Sequence, residues 1–250
     1  YESGDLIRLG RKEDGGYVVS KKTIDKCNLL ISFGMANDWS FENDFIKQKS
    51  ENLVHIYDHT VSLSFFIKRI YKSFKRIFYL KSSIKNIYRK IIELINFLKI
   101  DNTSLIHFKK KVDLISSKHQ ISIDDIFSKS NSNKIVLKID IESDEYKILD
   151  QILKYEKLVE MMLIEFHNLD IKKDEFVAII SKIQNYFNII HIHANNMTGY
   201  CQDGLPITLE ISFLKKKQKL IQKNRKIFPI PGLDFPNHPN IKDLEINFGD

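Results

Sequence analysis

Apolar residues along this chain fall into short unbroken runs, separated by stretches with helical spacing. Leu29–Phe33 and the run inside Asn52–Thr60 flank a segment where Phe41, Phe45 and Ile46 recur at helical intervals. Strand, helix, strand is the opening of a parallel α/β sheet, since a strand buried on both faces needs helices to cover it. Val18–Val19, Ser104–Phe108, Ile135–Ile139 and Met161–Leu169 read as further strands. Ile121–Ser130 reads as a short segment and a helix capped near Ser122. Helices are expected over Asp144–Leu158 and Asp174–Phe187. Ile189–Ala194 and Ile207–Phe213 form an antiparallel hairpin at one edge, and the tail after Pro229 is irregular, with Pro231, Pro236 and Pro239. The pattern predicts an α/β fold: a doubly wound, mostly parallel sheet with a C-terminal hairpin, one domain over residues 1–250.

Ser62–Ile100 breaks the alternation. Phe66, Ile70, Phe74 and Phe78 recur every four residues with Lys68, Lys72, Lys75 and Arg76 between them, and Ile84, Ile87, Ile91, Ile92 and Ile95 extend the pattern. This basic helical insert, at about 62–100, has two readings. The favoured one packs its apolar side on the core and solvates its charged side. The sharper one is an amphipathic surface resting on an anionic membrane or an acidic glycan. A second basic run, Lys215–Lys226, reads as a solvated surface segment.

Composition narrows the class. With 250 residues, 43% hydrophobic and 28% charged, the chain has ample material for a core, and 9 Gly and 5 Pro exclude a fibrous or disordered chain. A net charge of +7 admits nucleic-acid, membrane-surface or acidic partners without choosing among them. Cys27 and Cys201 form no disulfide framework, which fits a reducing compartment. The expected location is the cytoplasm, with the inner face of a membrane as the alternative. No apolar run is long enough to span a bilayer. The sequence begins at Tyr1 rather than Met, which leaves room for an upstream segment.

The chemistry concentrates where apolar runs end in acids. In "KIVLKIDIESDEYKIL" (Lys134–Leu149) a buried run drives straight into Asp140, Glu142, Asp144 and Glu145. Asp58 and Glu165 also sit at or near strand ends. In doubly wound sheets ligands bind beyond the carboxyl ends of the strands, so Asp58, Asp140 and Glu165 should converge on one crevice. Gly34 would let backbone approach a ligand, Asp38 and Ser40 are helix caps or ligand contacts, and Asp58 could accept hydrogen bonds from a ribose diol. His167 and His193, at strand ends near the acids, are candidate bases. Asn195 and Asn196 could bond sugar hydroxyls, or form a turn with Gly199. Asp140, Glu165 and His167 could hold a hard divalent ion such as Mg²⁺; the metal-free reading is preferred, because spacing alone does not bring three ligands to one point. Phosphate-cradling glycine motifs, zinc spacings and the G-x-S-x-G elbow are absent.

Four fragments in order resemble the FkbM-type family of S-adenosylmethionine-dependent methyltransferases. They are "RLGRKEDGGYVV" (Arg8–Val19), "SFGMANDWSFE" (Ser32–Glu42) with "YDHT", "VLKIDIESDEYKIL" (Val136–Leu149), and "IEFHNL" followed by "HIHANN". The third is the most specific; the family shows Lys-Ile-Asp-x-Glu-Gly-x-Glu, and Ser143 stands where the glycine would be. The family's first motif is Asp-x-Gly-x-Asn-x-Gly, and here Ser32 replaces its acid and Asp38 its second glycine.

The resemblance implies a Rossmann-like fold and S-adenosylmethionine as cofactor, lined by Gly34, Met35, Asp38, Ser40, Asp58, His59 and Asp140. It implies Asp140 and Glu142 at the reaction centre, where His167 and His193 are the candidate bases, with Asn195, Asn196 and Tyr17 as candidate contacts to the acceptor. The expected activity is O-methylation of a sugar hydroxyl in polysaccharide biosynthesis, on a small-molecule or glycan acceptor, with no specific nucleic acid. Two rivals remain: a non-catalytic scaffold of a glycan-assembly complex, favoured by the altered first motif, and an RNA-binding methyltransferase, motivated by the basic helices. The oligomeric state is not legible.

Overall fold

The computed structural model describes residues 5–78, 84–100, 104–216 and 227–248. The chain opens with an antiparallel pair, β1 (Leu6–Leu9) and β2 (Tyr17–Ser20), and a single helical turn, α1 (Lys21–Ile24). Then follow β3 (Leu29–Phe33), α2 (Ser40–Gln48) and β4 (Leu53–Tyr57), the strand–helix–strand unit that the apolar spacing predicts. Two helices, α3 (Leu63–Phe78) and α4 (Ile84–Phe97), precede β5 (Leu105–Phe108). A short parallel pair, β6 (Lys111–Asp113) and β7 (Gln120–Ser122), leads into α5 (Ile123–Ser128), whose N-cap Ser122 accepts from the Asp125 N–H at 3.1 Å. The second half runs β8 (Ile135–Ile139), α6 (Glu145–Ile152), β9 (Val159–Phe166), α7 (Lys173–Ile183), β10 (Phe187–Ala194) and β11 (Leu209–Lys215). Two-residue strands β12 (Ile227–Phe228) and β13 (Ile246–Asn247) pair across the tail.

Seven strands form one sheet in the order β10-β11-β9-β8-β3-β4-β5. The five from β9 to β5 are parallel, and β11 lies antiparallel between β9 and β10. The chain winds outward from β3 through β4 to β5, then returns to the other side of β3 as β8. Strand order therefore switches between β3 and β8, where such sheets open a crevice at their carboxyl ends. Every residue of β3 and β8 is buried, as a two-sided core demands. Ile135, Leu137 and Ile139 face a core shared with α5, α6 and α7, while Val136 faces one shared with Phe41 and Phe45 of α2. The period of two along β8 thus sends Lys138 toward α2.

The expected hairpin stands at one edge of the sheet, with β10 outermost and β11 against β9. Two expectations need correction. The helix expected over Asp144–Leu158 ends at Ile152 and closes in a 3₁₀ turn, Leu153–Tyr155, because the chain must reverse in time to start β9 at Val159. The insert buries only part of its apolar side: Phe66 and Ile100 join the core, with Phe65, Leu94 and Phe97 packed against it. α3 and α4 run antiparallel, joined by Arg69–Glu93 (2.9 Å), Lys90–Ser73 and the Phe66–Phe97 ring contact (4.7 Å). Among their described side chains only Phe66, Ser73 and Ile87 are buried. Periodicity had shown an apolar face but not whether anything covers it. Residues 79–83, and the basic run Lys215–Lys226 beyond Lys216, lie outside the described residues. No described helix is long and apolar enough to cross a membrane.

Candidate functional site

At the end of β3 the chain turns away sharply before α2. Gly34 makes that turn at φ +83°, and a side chain there would collide with the Asp140 carbonyl oxygen. Sheet pairing continues to this point: the Gly34 N–H donates to Tyr57 O (3.0 Å) and the Asp140 N–H to Phe33 O (2.9 Å). Beyond it opens a cleft of about 300 Å³, lined by residues 34–36, 57–60, 110–112 and 140–142 with Asp144. Acids outnumber bases on its walls: Asp58, Asp140, Glu142 and Asp144 against Lys110 and Lys111, and Lys111 is paired to Asp144 at 2.6 Å.

Asp58 and His59 lie in this cleft, as do Gly34, Met35 and Asp140. The Asp58 carboxylate is already engaged. Its Oδ2 accepts from the N–H groups of Met35 (3.0 Å) and Ala36 (3.1 Å), and its Oδ1 from Thr60 N–H (2.7 Å), Thr60 Oγ1 (2.6 Å) and Val61 N–H (3.3 Å). Burial pushes this carboxyl up, but the bonds from Thr60, Met35 and Ala36 outweigh it and hold it below the usual carboxylate range. With about four lone-pair sites on a carboxylate, a diol could enter only by displacing a donor. Thr60 Oγ1 is the donor among these on a rotatable side chain. Ala36, at φ +45°, holds the loop in the shape that presents both N–H groups.

The acid-rich end of β8 meets the end of β9 at His167. Glu145 Oε1 accepts from both the His167 N–H (2.8 Å) and Nδ1 (3.2 Å), fixing the ring. Nε2 then faces three carboxylates: Asp140 at 3.8 Å, Glu142 at 3.7 Å and Glu165 at 3.8 Å. These exceed hydrogen-bond length and leave room for a shared group between them. Burial lowers the His167 pKa, yet the Glu145 bond and the charges of Glu145, Asp140 and Glu142 raise it on balance. Asp140 is pushed up to about 6, chiefly by desolvation, with Lys138 and His167 opposing and Asp14 and Glu142 assisting. Its side chain still keeps 30% of its surface open to the cleft. Glu165 is raised well above its ordinary value by burial and by Asp140, Glu210 and Asp14. Tyr17, buried edge-on against Phe41 (5.6 Å), is raised by burial and the same acids. Ligand atoms of Asp140, Glu165 and His167 lie within 4.8 Å of one another, as do those of Asp14, Glu165 and Glu210.

Several candidates sit elsewhere. Asp38 binds Arg11 at 2.7 Å and accepts from Ser40 N–H (3.2 Å) and Oγ (2.9 Å), pinning the 10–16 loop to the start of α2 rather than lining the cleft. His193 has both nitrogens occupied, Nδ1 by Glu210 (3.2 Å) and Nε2 by Asp243 (3.1 Å). Burial lowers its pKa, but the bonds to Asp243 and Glu210 raise it to about 10. Asn196 is spent on the tail, donating to His238 O (3.1 Å) and Ile241 O (2.9 Å) and accepting from His238 N–H (2.8 Å). Asn195 stays close to the chemistry, donating to Glu165 at 2.9 Å.

Sequence reasoning missed a buried lock beneath Gly34. Lys138 Nζ lies 3.2 Å from Glu42 Oε1 and donates to Gly34 O at 3.2 Å, while Ser32 Oγ donates to Glu42 at 2.6 Å. Both charged side chains are almost fully buried, at 3% and 1% exposure. Through these bonds Glu42 of α2 brings a buried negative charge against Ser32 of β3 and Lys138 of β8. The signal was "SFENDF", where an acid falls on the same helix face as Phe41 and Phe45. Glu210 and Asp14 were missed too, and Glu145 was named among the acids without a role; only their neighbours in space give them roles.

No protein-family model and no curated protein matches the chain. Solved structures resemble it at low identity. The Methanococcus jannaschii fibrillarin pre-rRNA processing protein is 8% identical over 78% of this chain and 70% of its own, with TM-score 0.42. M. capricolum TrmK, solved in complex with S-adenosyl-homocysteine, is 13% identical over 80% and 70%, with TM-score 0.36. Precorrin-6y C5,15-methyltransferase from Geobacter metallireducens is 7% identical over 78% and 87%, with TM-score 0.37.

Proposed function

We propose that this chain is an S-adenosylmethionine-dependent methyltransferase acting on an oxygen, and that the acceptor is a sugar hydroxyl of a surface glycan. The observation that carries the reading is the meeting of three parts at the β3/β8 switch: the Gly34 loop, the Asp140 carboxylate and a His167 ring fixed by Glu145. The FkbM-type resemblance at Lys138–Glu145 supplies the reaction class.

The residues fit the cofactor. A cleft of about 300 Å³ is within the range of small-molecule sites, and its acid-rich wall suits a cation. When bound, S-adenosylmethionine supplies a methyl group on a sulfonium, which an acceptor oxygen takes as the sulfonium becomes a thioether. Gly34, Met35 and Asp58 would line its site, with Ile141 and Val112 as apolar walls. What the protein adds is alignment and removal of the acceptor's proton. Asp140, ionised above about pH 6, is the cleft carboxylate we assign to that proton, and His167 stabilises the ionised form through its positive charge. Glu165, oriented by Asn195, together with Tyr17 offers polar groups to hold sugar hydroxyls. A second reading, a Mg²⁺ ion on Asp140, Glu165 and His167, is favoured by the convergence of their ligand atoms.

The test is methyl transfer from labelled donor to a panel of oligosaccharides, with Asp140→Asn as control. Transfer to a sugar by the parent, and none by the folded variant, supports the proposal. Transfer to RNA alone would replace the sugar acceptor with the RNA reading. Unchanged activity in Asp140→Asn would remove Asp140 from the chemistry.

A further inference from the structure

The α3–α4 hairpin carries charge and exposed apolar surface that the cleft does not use. α3 has five bases and no acid; α4 has three bases and one acid. The two helices alone therefore hold a charge equal to the chain's whole excess of +7. The rest of the sequence is balanced.

The apolar surface is just as concentrated. Ile67, Tyr71 and Phe74 of α3 are half exposed or more, and Ile84 and Tyr88 of α4 are 80% and 65% exposed. In α3 this stripe lies about a third of a turn clockwise of the Phe66/Ser73 face, seen from the N-terminus; in α4 the stripe lies about a third of a turn clockwise of the Ile87/Lys90 face. The helices run antiparallel and meet through those faces. The two offsets therefore mirror each other, and both stripes come out on one side of the hairpin. Lys68, Lys72 and Lys75 follow the α3 stripe in rotation and border it with positive charge. Scattered apolar residues need no explanation, but two adjacent stripes beside a basic border do.

We propose that this side of the hairpin docks on a bilayer surface bearing anionic headgroups. Aliphatic and aromatic side chains would sink between headgroups, and the lysines would pair with their charge. A second copy of the chain is disfavoured, because it would set one strongly basic hairpin against another. Nucleic acid would use the bases but not a double row of aliphatic side chains. The hairpin also grows directly out of the cleft: the Val61 N–H still bonds Asp58, and α3 begins at Leu63. Docking would bring the cleft to the membrane surface. The docking proposal stands on the hairpin alone; its use for a lipid-borne glycan acceptor rests on the methyltransferase reading.

The experiment is vesicle co-sedimentation of the full chain without cofactor. Vesicles with about 30 mol% anionic phosphatidylglycerol are compared with pure phosphatidylcholine at about 0.1 M salt. One variant carries Ile67→Ser, Tyr71→Ser and Phe74→Ser; another carries Lys68→Glu, Lys72→Glu and Lys75→Glu. All six sites are exposed, and unchanged melting curves certify the fold. The expected result is binding to anionic vesicles only, weakened at least about tenfold in each variant, and lost at high salt. Absence of vesicle binding, or binding indifferent to both variants, overturns the proposal. So does preferential binding of a single-stranded RNA that the serine variant leaves intact, or a dimer that the serine variant dissolves. Because no cofactor enters the assay, its failure leaves the catalytic reading untouched, and the reverse also holds.

Discussion

Glu42→Gln tests the buried lock under the cleft. The substitution keeps the shape and the acceptor for Ser32 Oγ, but removes the negative charge 3.2 Å from Lys138 Nζ. Both partners are withdrawn from water, so the ammonium is left uncompensated except for the more distant Asp140 and Asp38. Removing one partner of a buried pair costs about 3–5 kcal/mol. For a chain of this size each kcal/mol shifts Tm by about 2–4 °C, so the melt should fall by roughly 6–20 °C at neutral pH. The pH dependence carries a second signature. Desolvation lowers the Lys138 pKa, but Glu42 and Asp140 more than offset it and hold it above the ordinary value. That contribution is present below the unfolded lysine pKa and lost as pH rises through the folded one. Without Glu42, burial dominates, the folded state favours neutral lysine, and the penalty shrinks as pH rises. The gap between parent and variant should therefore narrow between pH 7 and about pH 10. Circular-dichroism melts at both pH values measure it. A drop below about 2 °C, or a gap that widens with pH, would refute the claim that Glu42 neutralises Lys138.

Other variants probe the site directly. Asp58→Ala removes the acceptor for four backbone N–H groups and should cost about 1–3 kcal/mol while weakening S-adenosylhomocysteine binding. Because the folded Asp58 pKa is depressed, its contribution exists above the unfolded pKa and fades as pH falls through the folded one, so urea melts should converge in acid. Ser143 sits at φ +81°, where the resembled motif has glycine; Ser143→Gly should stabilise by about 1 kcal/mol, less the lost Asn168 hydrogen bond, and a destabilised variant would contradict the strain argument. Turnover limited by Asp140 should rise with pH through about 6, and a profile flat across pH 5–7 would exclude it as the proton acceptor.

Much of the sheet was legible because fully buried strands leave unbroken apolar runs. β3, β8 and most of β9 stood out this way, and the acid after β8 marked the crevice. Gly34 was legible as a turn, though its reason, the Asp140 carbonyl beside it, is tertiary. The lock was not, since Glu42 looks like any helical acid until Lys138 is brought against it across the sheet. His193 looked like a strand-end base, but the carboxylates that occupy it come from β11 and the tail, which no local pattern connects. The hairpin showed the opposite failure. Its period announced an apolar face, yet the same pattern serves a covered face and an open one, and only packing tells them apart.

The central claim is that the cleft between β3 and β8 binds the methyl donor. Calorimetric titration of the full chain with S-adenosylhomocysteine and S-adenosylmethionine, with and without Mg²⁺, tests it most directly. The account predicts one site per chain at micromolar affinity, present without metal and weakened in Asp58→Ala. Absence of heat from demonstrably folded protein, in either condition, would contradict it and leave the scaffold reading in its place.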